Sequence, residues 1–282
     1  MSTAEGVATG EAVLYETTPT GVAVLTLNRP DRLNTWGGDI ATAYYSSLDR
    51  AEADPAVRVI VLTGRGKAFC AGANLGSTAS ASESLAKPDQ PNLNELVGER
   101  QPYHLTMLSK PVIAAVNGSC AGIGLTQALM CDIRFAAAGA KFAASFARRG
   151  LIAEYGVSWI LPRLTGWAVA LDLLLSGRTF LAEEAAELGL VKEVVAADRL
   201  MDRVMEYAED IARNCSPASM AVIKRQAYGD AMRDVAQSSA QAEILLQESL
   251  QRPDVIEGIT SFLEKRAPSF PGLSSPDTEG SS

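Results

Sequence analysis

The chain is short of most groups on which catalytic sites are usually built. Its 282 residues include one histidine, His104. A serine–histidine–acid site or a metal site normally leans on histidine, so both are left with a single imidazole. His104 stands at the end of a polar stretch, where a surface position is the expected role. The four cysteines, Cys70, Cys120, Cys131 and Cys215, form no C-x-x-C pair. Positive charge is in deficit: 25 Lys and Arg against 33 Asp and Glu give a formal net charge of −8. That argues against a dominant nucleic-acid role, which needs a basic face, while leaving room for a local basic pocket that holds an anion. No apolar run approaches the ~18 residues of a transmembrane helix. Residues 1–10, MSTAEGVATG, have neither the basic region nor the apolar core of a secretion signal. A reducing cytoplasm, free thiols and no membrane partner are therefore expected.

What is present is an ordinary globular composition, 47% hydrophobic and 21% charged, long enough for one large domain or a core with an appendage. EAVLYETTPTGVAVLTLNRP reads as two strands around a turn. Residues 35–54 have helical period, with Ile40, Tyr44, Leu48 and Ala51 on one face. VRVIVLTG and KPVIAAVNG read as strands buried on both faces, and GIGLTQALM as a helix. CDIRFAAAGAKFA reads as strands about AGA. LAEEAAELGLVKEVV gives a helix, a stop at Gly189 and a strand, and from Leu200 nearly everything is helical. The expected organisation is a flexible N-terminus (1–11), an α/β core (12–200), a helical C-terminal region (201–270) and a disordered tail (271–282). Residues 77–103, rich in Ser and Pro, read equally well as a binding loop or lid and as a plain surface excursion.

Two apolar runs break into small residues, FCAGANLG (69–76) and NGSCAGIGL (117–125). Such strand-to-glycine turns let another molecule approach the main chain, and two backbone N–H groups aimed at one oxygen make an oxyanion hole. The Gly-Ile-Gly of the second is not a dinucleotide fingerprint, because Gln127 stands where the third glycine belongs.

NRPDRLNTW, GRGKAFCAGANL, KPVIAAVNGSCAGIGLTQALMCDIRFAA, LTGWAVALDLLLSGRTFLAEEAAELGLVKEVV and PDVIEGITSFLEKRAPSF, in this order, resemble the crotonase (enoyl-CoA hydratase/isomerase) superfamily from about residue 12 to 270. The resemblance implies an α/β fold, a spiral of β-β-α units with two roughly perpendicular sheets, and a helical C-terminal oligomerisation region building a homotrimer or a dimer of trimers. It implies acyl-CoA thioester substrates, coenzyme A carried as part of the substrate with no separate cofactor or metal, and chemistry through a thioester enolate. The oxyanion donors would be the N–H groups of Ala73 and Ile123, the second at a helix start that adds a positive field. Ala71, Gly72, Asn74, Leu75 and Gly122 would line the substrate site. Phe262 and Lys265 match positions that reach the CoA adenine and phosphates, often from a neighbouring subunit; helix packing and plain exposure are the alternatives.

This chain departs from the family pattern where it matters. Asn74 stands where Asp is frequent, and Ile123 stands in place of a third glycine, narrowing the acyl pocket. The two glutamates with which family hydratases activate water fall on Thr126 and Phe146, and neither can serve as an acid or base. One carboxylate remains in the neighbourhood, Glu154, ahead of a short helix from about Val157. An apolar wall of Ile152, Phe146 and Trp159 would raise its pKa and a helix start would oppose that. Tyr155 and Trp159 are candidates for pocket lining or core, and Arg148 and Arg149 for substrate attraction or simple solvation. Three functions stay open: a single-carboxylate enzyme moving a proton or double bond, a hydratase using Glu154 and a second group, and a non-catalytic acyl-CoA-binding paralogue.

Overall fold

The structure, a computed structural model, describes residues 10–73 and 100–273. Asn74, Leu75, most of the 77–103 segment and most of both termini lie outside the described residues. The core is a six-stranded sheet in the order β1-β2-β3-β5-β7-β10. Its strands are β1 (Val13–Thr17), β2 (Val22–Leu27), β3 (Val59–Gly64), β5 (Val112–Val116), β7 (Ile133–Ala137) and β10 (Glu193–Val195). β1 and β2 form an antiparallel hairpin, and every later neighbour is parallel. β3 and β5 occupy the middle, and every residue of VIVLTG and VIAAV is buried. This is why both read as unbroken apolar runs instead of alternating ones.

The short strands β4 (Ala68–Cys70), β6 (Ser119–Ala121), β8 (Lys141–Ala143) and β9 (Thr179–Leu181) make a second sheet in that order. Each of the units β3–β4, β5–β6 and β7–β8 thus sends its first strand to the large sheet and its second to the small one. The AGA turn of the sequence is the switch between sheets for the last unit, with Gly139 at φ 74.

Helix α1 (Gly38–Ala53) buries Ile40, Tyr44, Leu48 and Ala51 as its period predicts, together with Ala41 and Tyr45. α2 (His104–Met107) is a single turn. His104 is half-buried, 6.2 Å from the Tyr45 ring, which corrects the expectation of a surface histidine in a polar stretch. α3 (Ile123–Met130) is buried at every position. α4 (Val157–Thr165), α5 (Trp167–Ser176) and α6 (Ala182–Glu187) follow.

α7 (Leu200–Asn214) buries Leu200, Val204, Ala208 and Ala212 against β3, β5 and β7. The sequence changes character at residue 200, but the packing changes only after α7. α8 (Pro217–Asp230) is pinned through a buried pair, Lys224 Nζ to Asp132 Oδ2 at 2.8 Å, and through Tyr228, whose hydroxyl donates to Asp132 at 3.0 Å. α9 (Val235–Leu250) and α10 (Pro253–Glu264) are more open. Ile256, Ile259, Phe262 and Leu263 on α10 are all exposed.

Candidate active site

The two glycine turns face each other. Gly72 adopts φ 109 and Gly122 φ 52, left-handed conformations that favour glycine. A Cβ on Gly72 would stand 3.4 Å from the Ala121 carbonyl oxygen, and one on Gly122 would stand 3.7 Å from Gly72 Cα. Gly124 locks the pair: a Cβ there would lie 2.2 Å from the Cys70 carbonyl oxygen. The first turn of α3 can therefore rest directly on the end of β4. Ala73 is exposed just beyond the first turn. Ile123 opens α3 as its first helical residue. Neither N–H donates to a backbone acceptor among the described residues, so both remain available as donors.

The loop after β2 holds the first turn in place. Asn34, fully buried, accepts from the Arg29 N–H at 2.8 Å and donates to the carbonyls of Arg65 and Ala68 at 3.0 and 2.8 Å. Leu33 and Asn34 both sit at positive φ, 55 and 53. The loop then bonds the turn twice, Ala71 N–H to Leu33 O at 3.1 Å and Trp36 N–H to Gly72 O at 2.7 Å. NRPDRLNTW carried the family resemblance without a role for any of its residues; this bracing is the role.

Thr126 and Phe146, at the two places where hydratase glutamates would stand, are both buried. The Thr126 hydroxyl turns back to the Gly122 carbonyl at 3.3 Å, and Phe146 opens the tight turn at 147–149.

Glu154 lies in the turn that starts α4. Its carbonyl accepts from the Val157 N–H at 3.1 Å. Tyr155 and Gly156 then take positive φ, 56 and 80. A left-handed tyrosine is an unusual conformation. A Cβ on Gly156 would come within 3.1 Å of Met130 Cε, so this turn packs on the C-terminal end of α3. The Glu154 carboxylate is half-buried and has no hydrogen-bond or ion-pair partner among the described residues. Burial raises its pKa by desolvating the carboxylate. Ile152, expected in the apolar wall with Phe146 and Trp159, is instead 80% exposed. Tyr155 and Trp159 are half-buried against the core. Burial, and then the Glu154 charge, push the Tyr155 hydroxyl up to about 12, which places the phenol near the carboxylate. Trp159 carries the Arg163 guanidinium over its ring at 4.1 Å.

Arg148 and Arg149 bond the carbonyls of Ser176 and Ser145. They line an open cavity of about 530 Å³ on the small sheet with Ser119, Lys141 and Thr179. Phe262 is 82% exposed and Lys265 caps α10 at φ 55. Among the described residues no three His, Cys, Asp or Glu side chains converge as a metal site requires, and no helix is long and apolar enough to cross a membrane.

A two-sheet spiral with facing glycine turns, one of them starting a buried helix, defines a crotonase-type enzyme of the lyase or isomerase kind. Residues 17–273 match the enoyl-CoA hydratase/isomerase family model, and the chain belongs to that family. It is 37% identical to the 1,2-epoxyphenylacetyl-CoA isomerase of Escherichia coli over 89% of this chain and 95% of that one. Among solved structures, an enoyl-CoA hydratase, EchA12_1, from Mycobacterium marinum is 67% identical, covering 79% of this chain and all of its own, with a TM-score of 0.67. A probable enoyl-CoA hydratase/isomerase from Mycobacterium abscessus is 35% identical over 93% of this chain and 99% of that one, at a TM-score of 0.82.

Proposed function

We infer that the protein moves a proton on an acyl-CoA thioester, most simply shifting a double bond, with Glu154 as the single acid/base and the Ala73 and Ile123 N–H groups as the oxyanion hole. The observation that carries this is a half-buried carboxylate, its pKa raised by burial, with no hydrogen-bond or ion-pair partner among the described residues, on a turn that packs through Gly156 on the helix that presents Ile123. A carboxylate whose pKa burial raises takes a proton from one carbon and returns it to another, while charge on the thioester oxygen is met by the two donors. Coenzyme A arrives as part of the substrate, with no other cofactor.

A hydratase reading, with Glu154 and a second group activating water, is favoured by the 67% identity to the M. marinum hydratase. Thr126 and Phe146 weigh against the ordinary two-glutamate route. Enoyl-CoA thioesters assayed in parallel for hydration and for double-bond shift separate the two. The isomerase reading expects weak hydration of crotonyl-CoA, and fast hydration at ordinary enzyme loading contradicts it.

The working form is a homotrimer or a dimer of trimers in the cytoplasm. Exposed Ile256, Ile259, Phe262 and Leu263 on α10 support an assembly that buries them, and the four unpaired cysteines suit a reducing compartment. A monomer in sedimentation at micromolar concentration contradicts the assembly.

A further inference from the structure

The outer face of the small sheet carries a cluster of positive charge that the chemistry above does not use. Side chains alternate across this sheet as in any other. Cys120, Phe142 and Phe180 are buried on one face, where the two phenyl rings stack at 5.6 Å. On that face α3 begins, and the Cys120 thiol donates to the Gly124 carbonyl at 3.4 Å. The neighbours Ser119, Ala121, Lys141, Ala143 and Thr179 take the other face. Register sets the small ones side by side: Ala121 pairs with Ala143, and Ala143 with Thr179. Together with the 147–149 turn they bound the open cavity of about 530 Å³.

Three cations line this hollow, Lys141, Arg148 and Arg149, and no acidic residue does. None of the three makes an ion pair among the described residues. That sets them apart in a chain with 33 acidic residues for 25 Lys and Arg. Arg178, beside the cavity residue Thr179, is taken up by Asp172 and Glu184. Arg203 and Arg266 likewise hold two carboxylates each.

The two guanidinium groups are anchored with nitrogens to spare. Arg148 gives its Nε to the Ser176 carbonyl at 2.7 Å, and Arg149 gives Nη1 to the Ser145 carbonyl at 3.1 Å. Gly177, at φ 54, makes room for the first: a Cβ there would stand 3.1 Å from Arg148 Cγ. A guanidinium held in this way offers its free nitrogens to an oxyanion as a planar fork. Three like charges around one hollow repel one another, and an anion between them removes that cost. Charge selects among anions. A carboxylate brings one negative charge and a phosphate ester about −1.5 to −2 at neutral pH, so a diphosphate comes closest to matching three cations.

We propose that Lys141, Arg148 and Arg149 form a binding site for a small molecule carrying a diphosphate group, on the face of the small sheet opposite α3. The Ser119 and Thr179 hydroxyls on the same face add neutral donors.

Calorimetry with inorganic diphosphate at physiological ionic strength tests this. One site per chain is expected. Lys141→Gln and Arg149→Gln should each weaken it about tenfold, as loss of one charge-assisted hydrogen bond does. Thr179→Glu is a second kind of variant: it keeps every cation and sets a carboxylate among them, and it should abolish binding. Arg225→Gln, at an exposed position on α8, is the control and should change nothing. ADP and coenzyme A titrated in the same way separate the sources, because the natural group is the one whose affinity Thr179→Glu removes. If all three ligands keep their affinity in Thr179→Glu, the proposal is overturned. It is equally overturned by the absence of heat with millimolar diphosphate, or by an equal loss in Arg225→Gln, which would make the attraction one of net charge. Variants at Lys141 and Arg149 that bind diphosphate as wild type does but dissociate the assembly in sedimentation overturn it too, and assign this face to contacts between copies. None of these variants alters Glu154 or the oxyanion turns, so either result leaves the acyl-CoA reading standing.

Discussion

The two ends of α3 present chemistry in different ways. At its N-terminal end the proposed working groups are backbone N–H donors, and side chains matter by being absent: Gly72, Gly122 and Gly124 bring two turns and a strand end into contact. At its C-terminal end the proposed working group is one side chain, Glu154, on a turn whose next two residues, Tyr155 and Gly156, take positive φ and whose Gly156 packs on Met130. The first region tolerates changes that leave the backbone path alone, which is why Ile123 can replace a glycine of the family pattern and still donate its N–H. The second depends on one functional group. Thr126, in the middle of the helix, and Phe146 are buried and non-acidic, so neither supplies a second carboxylate to the proposed site.

The largest effect that sharpens this contrast is expected at Ala73. Ala73→Pro deletes one N–H and should lower kcat by roughly 10²–10³, whereas Ala73→Ser should stay within a few-fold of wild type. Equal loss in both, read by steady-state kinetics, would mean that the side chain is what counts there. Next comes Gly124→Ala. Its Cβ meets the Cys70 carbonyl at 2.2 Å, so the α3 start must shift, and a loss of about 1–3 kcal/mol in urea unfolding is expected. Gly139, whose Cβ would meet nothing within 4 Å, is a control for strand-turn glycines in general, since only its positive φ is strained. The smallest effect is at the other end. Burial raises the Glu154 pKa, so the folded state holds this proton to higher pH than the unfolded chain does. Its contribution opposes folding once pH climbs past the unfolded carboxylate value, and vanishes below that value, where both states are protonated. Glu154→Gln should therefore melt slightly higher than wild type at pH 7, with the gap closing towards pH 4, as scanning calorimetry can follow.

Much of this was legible in the residues. The central strands announced themselves as unbroken β-branched runs, and α1 by its period. The paired glycine turns and the missing glutamates could be counted along the chain. The partition between two sheets came only through the family resemblance, because β4, β6, β8 and β9 are three residues each and carry no period to read. The place of α7 was also hidden. Its small buried residues, Ala208 and Ala212, look no different from those of the open helices until the sheet is beneath them. His104 looked like a surface residue because its aromatic partner, Tyr45, is distant in sequence. Ile152 looked like part of a wall around Glu154 for the opposite reason: adjacency along the chain placed it near, while its side chain points to solvent.

The central claim is that one carboxylate carries the proton. The direct measurement is single-turnover kinetics of Glu154→Gln on an enoyl-CoA substrate that wild type isomerises, with thioester affinity measured by calorimetry on the same preparation. The account predicts a kcat loss of at least ~10², at the lower range of acid–base contributions, with affinity unchanged within a few-fold. Turnover near the wild-type rate, with binding intact, would contradict it and reduce Glu154 to a turn residue.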